Sequence, residues 1–397
     1  MKQALNIFMD LLKSEIANIP INPHRLDLVS ADIMPELYNI SDKHDLIHVI
    51  AVALKKTGVI KRDDTFGKKD NGFVNDTTNN FVLGLYYALD RYENMKYEEE
   101  QIKSLFEKEN ITFVLLKGSS IGKYYHEPWL RLSSDIDILV HAEDVERAKE
   151  VLISKLNYKV RKYNYHDICM YSQQGFHLEL HFQILENEKK IDGLLEKVWD
   201  YVHPLKEGMC QSVMSNEYMM FYIYAHMYYH FLHGGCGIRY FADVWVLENN
   251  MDYNRTEVER MCTTCGISTF VFYVNKLTKI WFENEEHENV TRKMEAYVLA
   301  GGVFGDLNSK VLVGKTKARG RMGYLWQRIF IPYNELKISK SRLDKYPVLY
   351  PIYLVMRWCK VFDKNISRKA YDEIILNQNI NQTEVNELKH LFDELKL

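Results

Sequence analysis

ITFVLLKGSSIGKYYHEPWLRLSSDIDILV, residues 111–140, holds two apolar runs joined by a loop, and its reading decides the fold. The first run, Ile111–Leu116, leads into Gly118-Ser119-Ser120; the loop carries Pro128 and Arg131; the second run, Asp135–Val140, opens with acids at alternate positions, Asp135 and Asp137. Alternate residues of a strand share a face. A strand at Asp135–Val140 therefore stands both carboxylates side by side and turns Ile136 and Ile138 the other way. Two such acids repel unless a cation lies between them. Hard divalent cations take carboxylate oxygens, and Mg²⁺ typically uses one or two of them together with substrate phosphates.

The Gly-Ser-Ser turn supplies the phosphate half of the pattern. A strand, a small-residue turn and a helix leave free backbone N–H groups at a helix N-terminus, where the dipole also favours an anion. Ser119 or Ser120 is placed to cap that helix. Gly118-Ser119, a spacer, then Asp135-x-Asp137 between apolar residues resembles the nucleotidyltransferase superfamily of DNA polymerase beta type. Leu116-Lys117-Gly118, the Tyr124/Tyr125 pair, Pro128, Arg131 and Asp135-Ile136-Asp137 together resemble a bacterial, mostly uncharacterised branch of it. The spacer from Ser119 to Asp135 is longer than in the most compact form of the pattern, which implies a longer loop.

Nucleotidyl transfer moves an NMP group from an NTP to an acceptor, with two metal ions stabilising the attacking and leaving oxygens. The resemblance implies a third acid on a later strand, and Gly175-Phe176-His177-Leu178-Glu179-Leu180-His181-Phe182 supplies Glu179. His177, Glu179 and His181 share one strand face, while the alternate positions are apolar. The expectation is that Asp135, Asp137 and Glu179 are catalytic and hold two Mg²⁺ ions, or Mn²⁺ in their place. Gly118 and Ser119 are expected at the terminal phosphates, with Lys117 and Arg131 neutralising phosphate charge or forming surface ion pairs. The implied substrate is an NTP, ATP first, and the acceptor is an unidentified small molecule, protein or RNA hydroxyl or phosphate. Two rivals are a non-catalytic nucleotide-binding or accessory protein with this fold, and a phosphoryl transferase using the same carboxylates.

The 397 residues suggest two or three domains. The reading is α+β: a helical region 1–108, a small mixed-sheet nucleotidyltransferase-like core 109–205 with helices on one side, and a helical domain 206–397. A net charge of −3 argues against a general nucleic-acid coat. Six cysteines in a long chain with no secretory pattern fit a reducing cytoplasm. No apolar run reaches about 18 residues, so no membrane span is expected.

Strands are expected at Tyr158–Tyr163, Asp167–Tyr171 and His177–Ile184, and helices at Asn80–Glu107, Glu143–Leu156 and Asn216–His233. The segment Lys61–Asn75 reads as an exposed connection. His226, His230 and His233 fall roughly on one helix face and read as polar residues lining the cleft rather than a metal site. Arg239 and Asp243, four apart, are placed to pair. Cys262-x-x-Cys265 is a lone motif, which argues against a zinc or redox function, and the remaining cysteines, such as Cys169 and Cys359, read as core residues. Lys310, Lys315, Lys317, Arg319, Arg321 and Arg328 read as a solvated loop and helix start, with contact to triphosphate as the alternative. Tyr350–Phe362 reads as a buried helix with Arg357 and Lys360 snorkelling, with contact to a membrane surface as the alternative. Tyr124, Tyr125 and Trp129 are candidates to stack on a base, or ordinary core residues.

Overall fold

The computed structural model describes residues 2–21, 28–30, 32–60, 76–302, 305, 307–318, 346–359 and 364–397, with isolated positions 323, 326, 329–331, 333, 336 and 343. The expected connection Lys61–Asn75 lies outside the described residues, as do Arg319, Arg321 and Arg328 of the basic stretch.

Among the described residues four helices come first: α1 Lys2–Ile16, α2 Met34–Lys43, α3 Ile47–Lys56 and the long α4 Asp76–Lys108. A seven-stranded sheet follows, built from β1 Phe113–Leu115, β2 Ile136–Val140, β3 Lys159–Tyr163, β4 Asp167–Tyr171, β5 His177–His181, β6 Val202–Pro204 and β7 Gln211–Met214, in the order β3-β4-β5-β2-β1-β7-β6. It is mixed: β2 runs antiparallel to β1 and parallel to β5, and β1 runs parallel to β7. The hairpin β6–β7 has no counterpart in the expected strands, and residue 205 falls inside it. Between strands lie α5 Lys117–Ile121, α6 Val145–Leu156 and α7 Lys189–Leu195. The long spacer before β2 is taken up by two single 3₁₀ turns, Gly122–Tyr124 and Pro128–Leu130.

Both faces of the sheet are covered, not one. Phe113, Ile136, Ile138, Val140, Ile168, Met170, Leu178 and Leu180 pack with Ile102 and Phe106 of α4 and Ala148 and Leu152 of α6. The opposite positions of β1 and β2, Val114 and Leu139, join the larger helical core. This period-two division is what pleating requires. Burying one such side chain contributes about 1.5–3 kcal/mol.

The centre of the larger core is α8, Asn216–Leu232. Ser215 caps it by accepting from the Tyr218 N–H, at 3.2 Å. Residues Tyr218 to Tyr228 are buried on every side of it, as expected of a helix with other elements packed all round. α9, Ile238–Asn250, packs beside it, followed by α10 Arg255–Thr264, α11 Ser268–Glu283, α12 Asn289–Gly301, α13 Leu307–Lys317, α14 Tyr350–Cys359, α15 Lys364–Asn379 and α16 Gln382–Leu395. No helix among the described residues is long and apolar enough to cross a membrane.

Two sequence readings fail in this region. Lys315 is buried, and its ammonium donates to the carbonyls of Asn377 and Ile380, at 3.1 and 2.8 Å. α14 is largely exposed rather than buried, with Leu354 its one buried residue and Ile352, Val355 and Met356 open to solvent.

Candidate active site

β2 and β5 bring the acids together. In their parallel pairing Asp137 stands opposite Glu179, and opposed residues of neighbouring strands project from the same face. Asp135 precedes the first strand residue, Ile136, and so sits at the strand's entrance. Oxygen and nitrogen ligand atoms of Asp135, His177 and Glu179 lie within 4.8 Å of one another, as do those of Asp137, Glu179 and His181. Glu179 is common to both groups. Asp137 is 3% exposed, whereas the Glu179 side chain is 24% exposed, so the site opens at Glu179.

These acids line a cavity of about 250 Å³ together with Lys117, Gly118, Arg131, Glu186, Tyr222, His226, His230 and Asp243. The cavity lies between the polar face of β2 and β5 and the helices α8 and α9.

Internal cations meet the acids unevenly. Asp137 Oδ1 accepts from His181 Nε2 at 2.9 Å and lies 3.4 Å from the Lys117 ammonium. Burial pushes the Asp137 carboxyl up, but Lys117 and His181 outweigh it and hold the group well below the usual carboxylate range. The same contacts act on their partners. Burial lowers His181, yet its bonds to Asp137 and Glu179 carry it up to about 9, and Lys117 is raised in the same way against its own burial. Asp135 goes the other way: burial first, then the charge of Asp137, raises it against the pull of Lys117. Its oxygen accepts from the hydroxyls of Ser133 and Ser134, at 3.3 and 3.4 Å.

The turn after β1 is conformationally costly. Lys117 has φ +43°, in the left-handed region that side chains rarely adopt; such strain costs about 1–3 kcal/mol and gathers at functional sites. Gly118 has no room for a side chain, since a Cβ there would stand 2.6 Å from Ser133 Oγ. Arg91 of α4 holds the facing loop by donating to the carbonyls of Ser133 and Ser134, at 3.3 and 2.6 Å. Sequence patterning gives no signal for Arg91, Ser133 or Ser134.

Other expected residues are placed differently. Arg131 is buried and donates to Asp243 at 2.6 Å, and the Tyr125 hydroxyl donates to the same oxygen at 2.7 Å. Arg131 is therefore an internal ion pair that lines the cavity, not a surface pair, and Tyr125 is a core residue. Arg239 pairs with Asp45, at 2.9 Å, and not with Asp243. Ser119 bonds Glu99 of α4 and lines a neighbouring cavity of about 230 Å³ instead. Cys262 and Cys265 are buried free thiols, pushed by burial up to about 12 and about 11, whereas Cys359, expected in the core, is exposed on α14 and Cys169 is half-buried.

The donor set suits a hard divalent cation. Three carboxylates converge, burial and like charge disfavour ionisation of one of them, and the oxygens come from two strands with little freedom to move apart. His177 and His181 add nitrogen donors at the margins.

A family model described as "Uncharacterised nucleotidyltransferase" matches residues 34–283. No curated protein and no solved structure matches the chain.

Proposed function

The chain belongs to the uncharacterised nucleotidyltransferase family, and from that premise we propose that it moves an NMP group from an NTP, ATP first, to an acceptor. The observation that carries this reading is the register of Asp137 opposite Glu179, with Asp135 at the entrance to the same cavity. Asp135, Asp137 and Glu179 would hold two divalent ions, Mg²⁺ or Mn²⁺, with Glu179 sharing the ion nearer the acceptor. When bound, such ions stabilise the charge that develops on the attacking and leaving oxygens.

This chain's own residues do the remaining work. Lys117 and Gly118 line the cavity beside Asp137 and would receive the terminal phosphates there, without Ser119, which faces the neighbouring cavity. Lys117, now 3.4 Å from Asp137, would be free to turn to a phosphate oxygen if that carboxylate held an ion. Arg131 contributes positive potential from its pair with Asp243 rather than a free guanidinium. Incubation of the purified protein with ATP labelled on the α- or γ-phosphate, followed by mass spectrometry of candidate acceptors, tests the reading. Label from the α-phosphate on the product supports nucleotidyl transfer, and label from the γ-phosphate replaces it with phosphoryl transfer.

One observation favours the non-catalytic rival: Asp137 is already neutralised by Lys117 and His181 without a metal. Calorimetry separates the two readings. A catalyst of this type binds ATP together with Mg²⁺, and an Asp137→Asn chain that bound both as well as the wild type would favour the accessory role.

A further inference from the structure

Opposite the carboxylates, the wall of the cavity carries a second set of titratable groups. Glu186 lies in the loop after β5, and His226 and His230 lie one turn apart on α8. The His226 Nδ1 is 2.6 Å from Glu186 Oε1, and the His230 Nε2 is 3.0 Å from the His226 Nε2. Asp192 holds the Glu186 backbone by accepting from its N–H, at 2.9 Å. His226 is buried, His230 is half-buried, and all three line the same cavity as Asp137 and Glu179. They do not form a metal-binding group with the acids among the described residues.

The hydrogen bonds fix the tautomers. Burial favours the neutral form of Glu186, but the hydrogen bond from His226 and the charge of Lys117 favour the carboxylate, so it only accepts. His226 must then carry its proton on Nδ1. Burial and the nearby Lys117 hold His226 neutral despite Glu186, so its Nε2 is an acceptor. His230 must in turn donate from Nε2, which leaves the lone pair on His230 Nδ1. Burial, with the positive charges of Lys117 and Lys310 nearby, keeps His230 neutral too.

We propose that Glu186, His226 and His230 form a proton-accepting relay that removes the acceptor's proton, and that the acceptor is therefore a hydroxyl and not a phosphate. The inference rests on the nucleotidyltransferase reading and goes beyond it in naming the acceptor class. The acceptor oxygen bonds to the α-phosphorus while its proton passes to His230 Nδ1. The bond from the α-phosphorus to the bridging oxygen breaks, and its electron pair leaves with pyrophosphate. His226 and Glu186 act through His230: the carboxylate orients the chain of imidazoles and stabilises the proton it has gained. A phosphate acceptor would instead meet two uncharged histidines backed by a carboxylate, which is a poor anion site. The flank of Glu179 is occupied differently, with Oε2 at 3.4 Å from His181 and Oε1 at 3.9 Å from His177.

Two measurements on the full chain test this. Nitrogen NMR of histidine-labelled protein at neutral pH reads the tautomers directly, without substrate. The expected result is neutral His226 protonated on Nδ1 and neutral His230 protonated on Nε2, with the His226 pattern lost in Glu186→Gln. The opposite tautomer at either histidine, or a charged ring, overturns the relay. Pyrophosphate release from Mg–ATP with water as acceptor is the second measurement. His230→Gln is expected to slow it by about 100-fold or more, with Mg–ATP affinity by calorimetry kept within about twofold. Equal rates in wild type and His230→Gln overturn the relay, whereas a wild type that neither binds Mg–ATP nor releases pyrophosphate overturns the underlying functional reading. Glu186→Asp is expected to recover more of the rate than Glu186→Gln, because it restores the charge and not merely the packing.

Discussion

Asp137 and Asp243 are both buried aspartates on the wall of one cavity, and their surroundings differ in kind. Asp243 receives Arg131 and Tyr125 on one oxygen, at 2.6 and 2.7 Å. Asp137 receives Lys117 and His181, but it also shares its face with Glu179 and stands beside Asp135. Three carboxylates against two titratable cations leave negative charge in excess, whereas the Asp243 pair closes on itself. Burial of an acid is therefore no sign of function in itself; a local surplus of charge that nothing in the chain cancels is a better one.

The largest effect should separate the two at once. Asp243→Asn leaves the buried Arg131 guanidinium without its counter-charge, and removing one partner of such a pair costs about 3–5 kcal/mol. In thermal denaturation this is a fall of roughly 4–6 °C for a chain of this size. An Asp243→Asn protein as stable as the wild type would mean that the pair is not closed and would remove the contrast.

Asp137→Asn should act on rate more than on folding. Its loss is expected to slow pyrophosphate release by about 10²–10³-fold, the scale set by losing one preorganised electrostatic contact in a transition state. The melting temperature should fall too, because Lys117 and His181 lose the carboxylate that they hold ionised, but by less than in Asp243→Asn, since relief of repulsion with Asp135 and Glu179 offsets part of the loss. Unchanged turnover in this variant would end the metal-site assignment.

What is legible in the chain follows from where the signals are local. Alternation of acids with Ile136, Ile138, Leu178 and Leu180 gives the strands and their faces, while the partnership of Asp137 with Glu179 is implied by the family resemblance and not by the alternation itself. The helix face of His226 and His230 is readable for the same reason. Their partner Glu186 is not, because it sits in a loop forty residues earlier than His226 and no periodicity marks it. Arg131 and Asp243 are 112 residues apart, and a four-residue spacing makes Arg239 the more visible partner. β6 and β7 are three and four residues long, too short for a period, and β7 gains its place only by pairing with β1. Lys315 reads as solvated because the stretch around it has the composition of a basic surface, yet two carbonyls at the end of α15 take its ammonium inside.

A smaller effect tests the close approach behind Asp135. Gly118→Ala places a Cβ 2.6 Å from Ser133 Oγ and 2.9 Å from Ser133 Cβ. The Cβ cannot swing aside as a side-chain tip does, so the loop held by Arg91 must shift. Overpacking of this kind costs about 1–3 kcal/mol. Because Ser133 also holds Asp135, activity should fall more than stability does. Equal loss of both would place Gly118 with the Arg131–Asp243 pair as a packing residue.

The smallest effect has the opposite sign from an ordinary mutation. The folded chain raises the Asp135 carboxyl through burial and the charge of Asp137, so the folded state binds this proton more tightly than the unfolded state does. Between the unfolded value, near 3.9, and the raised folded value, stability from this group falls as pH rises, and above that window its ionised form is a standing cost. Asp135→Asn removes the charge and keeps the shape. It should raise stability at neutral pH, read as a small rise in melting temperature, while lowering the rate of transfer. That pairing of gained stability with lost activity is expected where a site keeps like charges together for function. Below the window the advantage should vanish, because the wild-type carboxyl is then protonated in both states. A destabilised Asp135→Asn protein would show that Asp135 resembles Asp243 instead, an acid whose charge the fold already uses.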